Sequence, residues 1–418
     1  MKALRVTLWM LVGLLALMLC AEAAMLFIVK AMLAPLPGEW SAPLRVGPLQ
    51  VQAGVPSLIR LATSPWVAPL LHGRVVATRI GRIEVAWQAA DQTLALRCAP
   101  CRVQSPRLGN DALQLDDVQL TVRRHADRLG GELASGAVRA KWQGDLSQRQ
   151  ISLHLQLPMT PIADGYALFA AVIPEVAQAR IDGRFALQAS LSLPGGSLTL
   201  VPQVEGFQVS GLGTEAFATA RSACSRRTSK LITDSWLARA VIAAEDQRFF
   251  EHGGFDLTEI SAALSSPPGD EKAAVRGAST LPQQLAKLLI TGGERSPVRK
   301  LRELLYAVEM EQTLGKPRML QLYLAHAPWG PGLCGAEAAS RHYFGRAAHL
   351  LSPTQAAWLA AMLHNPVLEA ARWAETGQIN VARTQWVLHG MRPLPRTLRI
   401  QLAGEVAQQM WAAPVTAP

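Results

Sequence analysis

Two periods of hydrophobic alternation divide the chain. From residue 79 to about 210, apolar and polar side chains alternate one for one. Examples are Ile83-Glu84-Val85-Ala86-Trp87, Val118-Gln119-Leu120-Thr121-Val122, Ile151-Ser152-Leu153-His154-Leu155 and Phe185-Ala186-Leu187-Gln188-Ala189. A period of two predicts half-buried antiparallel strands, with one face on a core and the other towards water. Gly130-Gly131, Gly144-Asp145 and Gly195-Gly196 punctuate the runs. A helical interruption is expected over residues 161–178. Residues 55–71 carry a helix-like apolar pattern broken by Pro65 and Pro69.

Beyond Cys224 the period becomes helical. Thr233 or Asp234 can cap a helix running to about Phe250, with Trp236, Ala240, Ile242 and Ala243 at helical spacing. Ser296 and Pro297 make an N-cap and first-turn pair that opens a helix closed by Gly315; Pro317 opens the next. Ser352 and Pro353 open another, reaching His364. The expected architecture is multidomain: a mainly-β antiparallel middle region over residues 43–220 and an all-α C-terminal region over residues 221–418.

The first residues add a third element. Residues 8–29 are almost wholly apolar, broken by Glu22, and about 20 such residues cross a bilayer core. Lys2 and Arg5 precede them, so residues 1–6 are expected in the cytoplasm, 7–29 as a transmembrane anchor, and 30–42 as a linker to an exported remainder. Ala21-Glu22-Ala23 also has the spacing of a signal-peptide cleavage site, but the apolar run continues past it. A single-pass inner-membrane protein with both domains on the periplasmic side is the expectation. Half of the 418 residues are hydrophobic and 17% are charged, which suits a globular chain with one such segment. The formal net charge of +10 calls for an anionic partner, and nucleic acid, lipid head groups and phosphorylated substrates all qualify on charge alone. An extracytoplasmic location removes nucleic acid.

Of five cysteines, Cys20 lies in the apolar segment and Cys98, Cys101, Cys224 and Cys334 follow it. An even number in an oxidising compartment is expected to form disulfides. Pairing within each domain, Cys98 with Cys101 and Cys224 with Cys334, is the simplest connectivity. Without a second CxxC or a His pair beside Cys98, no metal site is expected.

Three clusters carry chemistry. Glu245 and Asp246 sit near the end of an apolar helix and are followed by Phe249, His252 and Gly254. A helix C-terminus carries partial negative charge and raises the pKa of a carboxyl there, which suits a general base. Next, Gly277, Ser279, Thr280, Gln283 and Gln284 offer backbone and side-chain donors to sugar or phosphate oxygens. Third, Lys287, Arg295, Arg299, Lys300 and Arg302 place five cations within sixteen positions, with Glu303 one helical turn after Arg299. Cations in a first helical turn oppose the dipole, and make sense beside a bound anion such as pyrophosphate. Each cluster alone has an ordinary explanation: a solvated helix end, a capped loop-to-helix junction, an i,i+4 ion pair.

Their order and spacing are more specific. The set resembles glycosyltransferase family 51, the peptidoglycan polymerase module of class A penicillin-binding proteins and of monofunctional transglycosylases. Its pattern E-D-x-x-F-x-x-H-x-G is matched by residues 245–254, G-[GA]-S-T-x-x-Q-Q by residues 277–284 and R-K-x-x-E by residues 299–303. K-x-x-I-L-x-x-Y-L-N is approximated by residues 316–325, with Met319 for Ile and Ala325 for Asn; residues 383–388, from Arg383 to Leu388, resemble a last, looser motif. Leu288 replaces a common Asn. The likeness covers residues 232–391. A fainter likeness of pattern links the β region to AsmA-like envelope proteins.

The resemblance implies a lysozyme-like helical fold and a defined reaction. A growing glycan strand on undecaprenyl pyrophosphate is the donor and lipid II the acceptor, joined β-1,4 with inversion. Glu245 would be the base and Glu303 would assist on the donor side. Lys287, Arg295, Arg299 and Lys300 would neutralise pyrophosphate. Asp246, Phe249, His252, Ser279, Thr280, Gln283 and Gln284 would complete the substrate site. No cofactor is required, and a divalent cation (Mg or Mn) on the pyrophosphate is compatible with it. Expected partners are lipid II, the growing strand, the membrane and other cell-wall synthesis proteins. No S-x-x-K, S-x-N and K-T-G set follows, so a monofunctional enzyme is expected. A glycan hydrolase and a catalytically impaired envelope scaffold are the alternatives.

Overall fold

The computed structural model describes residues 34–46, 49–103, 113–147, 149–221, 224, 233–265, 279–292 and 296–408. The expected anchor at 7–29 lies outside them. Among the described residues no helix is long and apolar enough to cross a membrane. The chain forms two compact units. One comprises residues 1–102, 115–158 and 187–201; the other comprises 103–114, 159–186 and 202–418. The helical unit therefore includes two stretches, 159–186 and 202–220, that fall within the expected mainly-β region over residues 43–220.

The first unit holds the alternating sequence. A hairpin, β1 (Ser41–Val46) and β2 (Leu49–Gly54), leads into helices α1 (Val55–Ala62) and α2 (Ala68–Leu71). Then follow β3 (Val75–Ala77), β4 (Arg82–Gln88), β5 (Thr93–Cys98), the short β6 (Cys101–Val103) and β7 (Leu113–Leu115), β8 (Val118–His125), β9 (Arg128–Ser135), β10 (Val138–Leu146) and β11 (Ile151–Pro161). With β12 (Arg180–Leu193) and β13 (Ser197–Ser210), the long strands make a nine-stranded sheet in the order β13-β12-β11-β10-β9-β8-β5-β4-β3.

Register turns the alternation into two faces. Leu96, Leu120, Leu133 and Ala140 pair in one row across β5 to β10. Arg123, Gly130, Gln143 and His154 pair in another across β8 to β11, on the opposite face. The apolar face packs on the short helices: Ala68 of α2 is buried with Val85 and Leu94, and Val55 and Ile59 of α1 pack beside Leu129 and Ile151. A disulfide joins Cys98 to Cys101.

The second unit carries α3 (Ile162–Ala167) and, after β13, a mainly helical run: α4 (Trp236–Glu245), α5 (Leu257–Ser265), α6 (Leu281–Ala286), α7 (Pro297–His326), a short antiparallel pair β14 (Pro328–Gly330) and β15 (Leu333–Cys334), α8 (Ala336–Phe344), α9 (Pro353–Ala361), α10 (Pro366–Thr376), α11 (Val381–Gly390) and α12 (Arg396–Val406), so the expected all-α region also holds one small hairpin. The cap of α4 is Ser235, whose side chain accepts from the Ala238 amide, rather than Thr233 or Asp234. The helix stops at Glu245, five residues short of the expected end. Ser296 and Ser352 cap α7 and α9 as the sequence requires. Gly315 (φ 70°) breaks α7 two residues before Pro317, because only glycine adopts that backbone without strain.

Small residues set how closely these helices pack. Ala240, Ala243 and Ala244 of α4 and Ala356, Ala357 and Ala360 of α9 are buried in one core. Around them Trp358 lies 4.8–5.2 Å from the rings of Tyr343, Phe344 and Trp373. Buried Trp329 donates its indole N–H to the Leu359 carbonyl at 2.9 Å. The Cys224–Cys334 disulfide, with Cα atoms 5.5 Å apart, ties the segment before α4 to strand β15 after α7.

Candidate active site

The three clusters meet because each lies at the end of a helix. Glu245 is the last residue of α4. Its Oε2 accepts from the Gln284 amide at 3.0 Å, and its Oε1 is buried with no hydrogen-bond partner. Burial raises its pKa above the ordinary carboxylate value, and the neighbouring Asp246 charge adds to that; the Gln284 bond and the charges of Arg383 and His364 oppose it. A buried carboxylate oxygen without a protein partner is available to accept a proton. One oxygen of Glu245 is thus fixed and the other open.

Gln284 is itself held. Its Oε1 accepts from the hydroxyl of buried Tyr323 at 3.1 Å, and its Nε2 also reaches the Ser279 carbonyl at 3.4 Å. An amide gripped at its oxygen must present its NH2 to Glu245. Tyr323→Phe is therefore expected to free the amide and reduce turnover by about tenfold, a loss typical of a misoriented catalytic group, without altering the fold. Unchanged turnover with a native melting curve would remove Tyr323 from the site.

From Ser279 the contacts continue to the second carboxylate. Lys300 Nζ lies within hydrogen-bond distance of Ser279 Oγ and 2.7 Å from Glu303 Oε2. Arg299 Nε lies 3.3 Å from Glu303 Oε1. Glu303 is fully buried and Arg299 nearly so, while Lys300 is partly exposed. A continuous line of polar contacts, Glu245–Gln284–Ser279–Lys300–Glu303, thereby joins the carboxylates of α4 and α7. A buried carboxylate shared by two cations favours a third, anionic ligand only where a cation keeps access to solvent, as Lys300 does. Lys287 is exposed at the C-terminal end of α6. Arg295, Gly277 and Ala278 lie outside the described residues.

Other residues expected to touch substrate are turned into the scaffold. Asp246 accepts from the Leu281 amide at the N-terminus of α6 (2.9 Å) and faces His252 Nε2 at 2.8 Å, with both side chains 5% exposed. His252 Nδ1 lies 2.6 Å from the Gly253 carbonyl. Burial lowers the pKa of this ring, but the Asp246 carboxylate and the Gly253 carbonyl outweigh it and hold it above the usual histidine range. Thr280 and Gln283 form a reciprocal capping box on α6, and Thr280 Oγ1 also donates to the Gly254 carbonyl at 2.9 Å. Phe249 is fully buried, with Lys316 Nζ 4.5 Å from its ring centre. At Gly254 a Cβ would stand 2.6 Å from the Ala307 backbone, so this glycine lets the loop after α4 touch α7.

Tyr323, His364 and Arg383 were absent from the sequence-derived site. Arg383 donates from Nη2 to the Ala244 carbonyl at 3.1 Å and stacks 4.1 Å from the Trp386 ring centre. Burial lowers its pKa and the Glu245 charge opposes that shift. Both Tyr323 and Arg383 stood in recognisable motif positions. An apolar helix face explained the first, and no spacing rule pointed to the second.

A carboxylate base candidate, a cation-flanked second carboxylate and a helical scaffold define a class. Residues 218–392 match the family described as transglycosylase, and the chain belongs to that family. It is 52% identical over 130 residues to a biosynthetic peptidoglycan transglycosylase of Aeromonas hydrophila subsp. hydrophila, covering 31% of this chain and 54% of the relative. For the protein of the same name from Nitrosomonas eutropha the identity is 48% over 130 residues, 31% and 53% of the two chains. For that of Pseudomonas aeruginosa it is 43% over 165 residues, 40% and 69% of the two chains. The chain spans about half the length of the first two relatives.

Proposed function

We propose that the chain is a peptidoglycan glycosyltransferase that polymerises lipid II into β-1,4 glycan strands and releases undecaprenyl pyrophosphate. The observation that carries this reading is the linked pair of carboxylates, one with an open buried oxygen and the other flanked by cations. Glu245 Oε1 takes the proton of the acceptor 4-hydroxyl as that oxygen attacks the donor C1. The C1–O bond to pyrophosphate breaks on the opposite face, giving inversion. Arg299, Lys300 and Lys287 neutralise the departing pyrophosphate, whose charge grows as the bond breaks. Glu303 holds Arg299 and Lys300 in place. Ser279 and Gln284 line the path between the two ends. Asp246, His252, Thr280, Gln283 and Phe249 position these groups.

Residues 7–29 act as a membrane anchor with both folded units on the periplasmic side. The apolar run behind Lys2 and Arg5 supports this, as do two disulfides, which suit an oxidising compartment. Tethering confines the search for lipid-borne substrates to two dimensions. Incubation with purified glycan strands, free of lipid pyrophosphate, separates this reading from a hydrolase. The proposal expects the strands to be recovered intact. Release of shorter glycans would replace it with a hydrolytic function.

A further inference from the structure

Of the cations that crowd the start of α7, Arg302 takes a separate path. It turns to Glu175, in the 3-10 turn Pro174–Ala177, which precedes the family-matched residues 218–392. Arg302 Nε lies 2.8 and 3.0 Å from the two carboxylate oxygens and Nη2 lies 2.6 Å from Oε1. The Tyr306 hydroxyl, one turn along α7, donates to the same carboxylate at 3.2 Å. Glu175 is 4% exposed. Burial works against its charge, but the bonds from Arg302 and Tyr306 outweigh it and hold the carboxyl below the usual range.

The same stretch of chain grips α7 elsewhere. The Tyr166 hydroxyl donates to the Leu301 carbonyl at 3.1 Å. Ile162, Tyr166 and Ile173 share a core with Leu305 and Val308. Apolar packing of this kind is non-directional and sets the rotation of a helix less sharply than a directional bond does. A guanidinium fork on a carboxylate is directional. Residues of a helix are set about 100° apart, so Arg302 stands on the shoulder between the apolar face and the face carrying Arg299 and Glu303. A rotation of about 10° would carry a side-chain head at the helix surface by ~1 Å.

We infer that Glu175 is a positioning residue for the reaction: by clamping Arg302 and Tyr306 it fixes the rotation of α7, and so the placement of Arg299, Lys300 and Glu303 towards the pyrophosphate of the donor. This rests on the proposed function for its substrate. It also assigns a role to a segment outside the matched family region, and it separates Arg302 from the anion-binding cations with which the sequence groups it.

The test uses the full-length protein with Glu175→Gln, Arg302→Met and the double variant, assayed on lipid II and titrated with undecaprenyl pyrophosphate. Each single variant is expected to raise KM and weaken undecaprenyl pyrophosphate binding on the order of tenfold, as ~1 Å of misplacement permits, and to lower kcat as well, because the same cations meet the charge that grows on the leaving group. The double variant should be no worse than either single one, since both break the same clamp. Unchanged KM and binding in folded Glu175→Gln, or multiplied effects in the double variant, would overturn the inference. Should Glu175→Gln not fold, Tyr306→Phe removes one hydroxyl and no charge. It must then raise KM by about twofold, the share of one neutral hydrogen bond, and an unchanged KM overturns the inference equally. If the wild-type protein binds undecaprenyl pyrophosphate but makes no polymer, the proposed function fails while the clamp is still tested by binding.

Discussion

Glu245→Gln is expected to leave a folded chain whose rate of glycan polymerisation is lower by about 10²–10⁴-fold, the span of a general-base contribution. Gln keeps the shape of the side chain and the capacity to accept from Gln284, so the scaffold loses nothing. What disappears is the proton acceptor at Oε1, which no protein group occupies. Because burial raises the Glu245 pKa, the wild-type enzyme should also lose activity as pH falls through a value above the ordinary carboxylate range. The direction follows from the role: a base works only when deprotonated, and a raised pKa moves its protonation towards neutral pH. A variant retaining more than half the wild-type rate, with the same acid limb, would remove Glu245 from the chemistry.

The second large effect concerns stability. Cys224 and Cys334 are 110 positions apart, and a cross-link over a loop of that length constrains the unfolded chain by about 4–5 kcal/mol in the entropy model. The loop contains Glu245, Gln284 and Glu303. Cys224→Ser/Cys334→Ser is therefore expected to lower the unfolding free energy of the helical unit by about that amount. The Cys98–Cys101 bridge spans a separation of three and should contribute about 2 kcal/mol or less by the same relation. Calorimetry or denaturant titration of the oxidised protein and both paired-Ser variants checks the order. Equal, small shifts for the two bridges would show that the long loop is already constrained in the unfolded state.

Local signals in the sequence carried a great deal. Strands β4, β10 and β11 alternate apolar and polar residues over most of their length, and a sheet with one polar and one apolar face is what that period requires. The starts of α7 and α9 were legible from Ser-Pro pairs, because cap and first-turn chemistry is local. The cap of α4 was misplaced by one or two residues for the opposite reason. Thr233, Asp234 and Ser235 are all competent caps, and packing of Leu237 and Ala238 against the core selects Ser235.

At the site, the sequence identified the charged residues but could not say which face inward. Asp246 and His252 read like Glu245 in composition, yet their contacts are to the Leu281 amide and the Gly253 carbonyl. Such partners are set by tertiary structure across 35 residues for Asp246 and by the loop path for His252. Arg302 illustrates the same limit. Its partner Glu175 lies 127 positions away, in the helical interruption of the β region, where no local signal points to α7. Gly254 was legible as a motif position, and its reason, contact with the backbone of α7, was not.

The most direct measurement follows labelled lipid II incubated with the purified full-length protein in detergent or liposomes. Products are resolved by length, and undecaprenyl pyrophosphate is quantified alongside them. The account predicts glycan strands many disaccharides long, digestible by a muramidase, with one undecaprenyl pyrophosphate released for each new bond and both products formed about 10²–10⁴-fold more slowly by the Glu245→Gln variant. Lipid II recovered unchanged from folded, oxidised wild-type protein would contradict it.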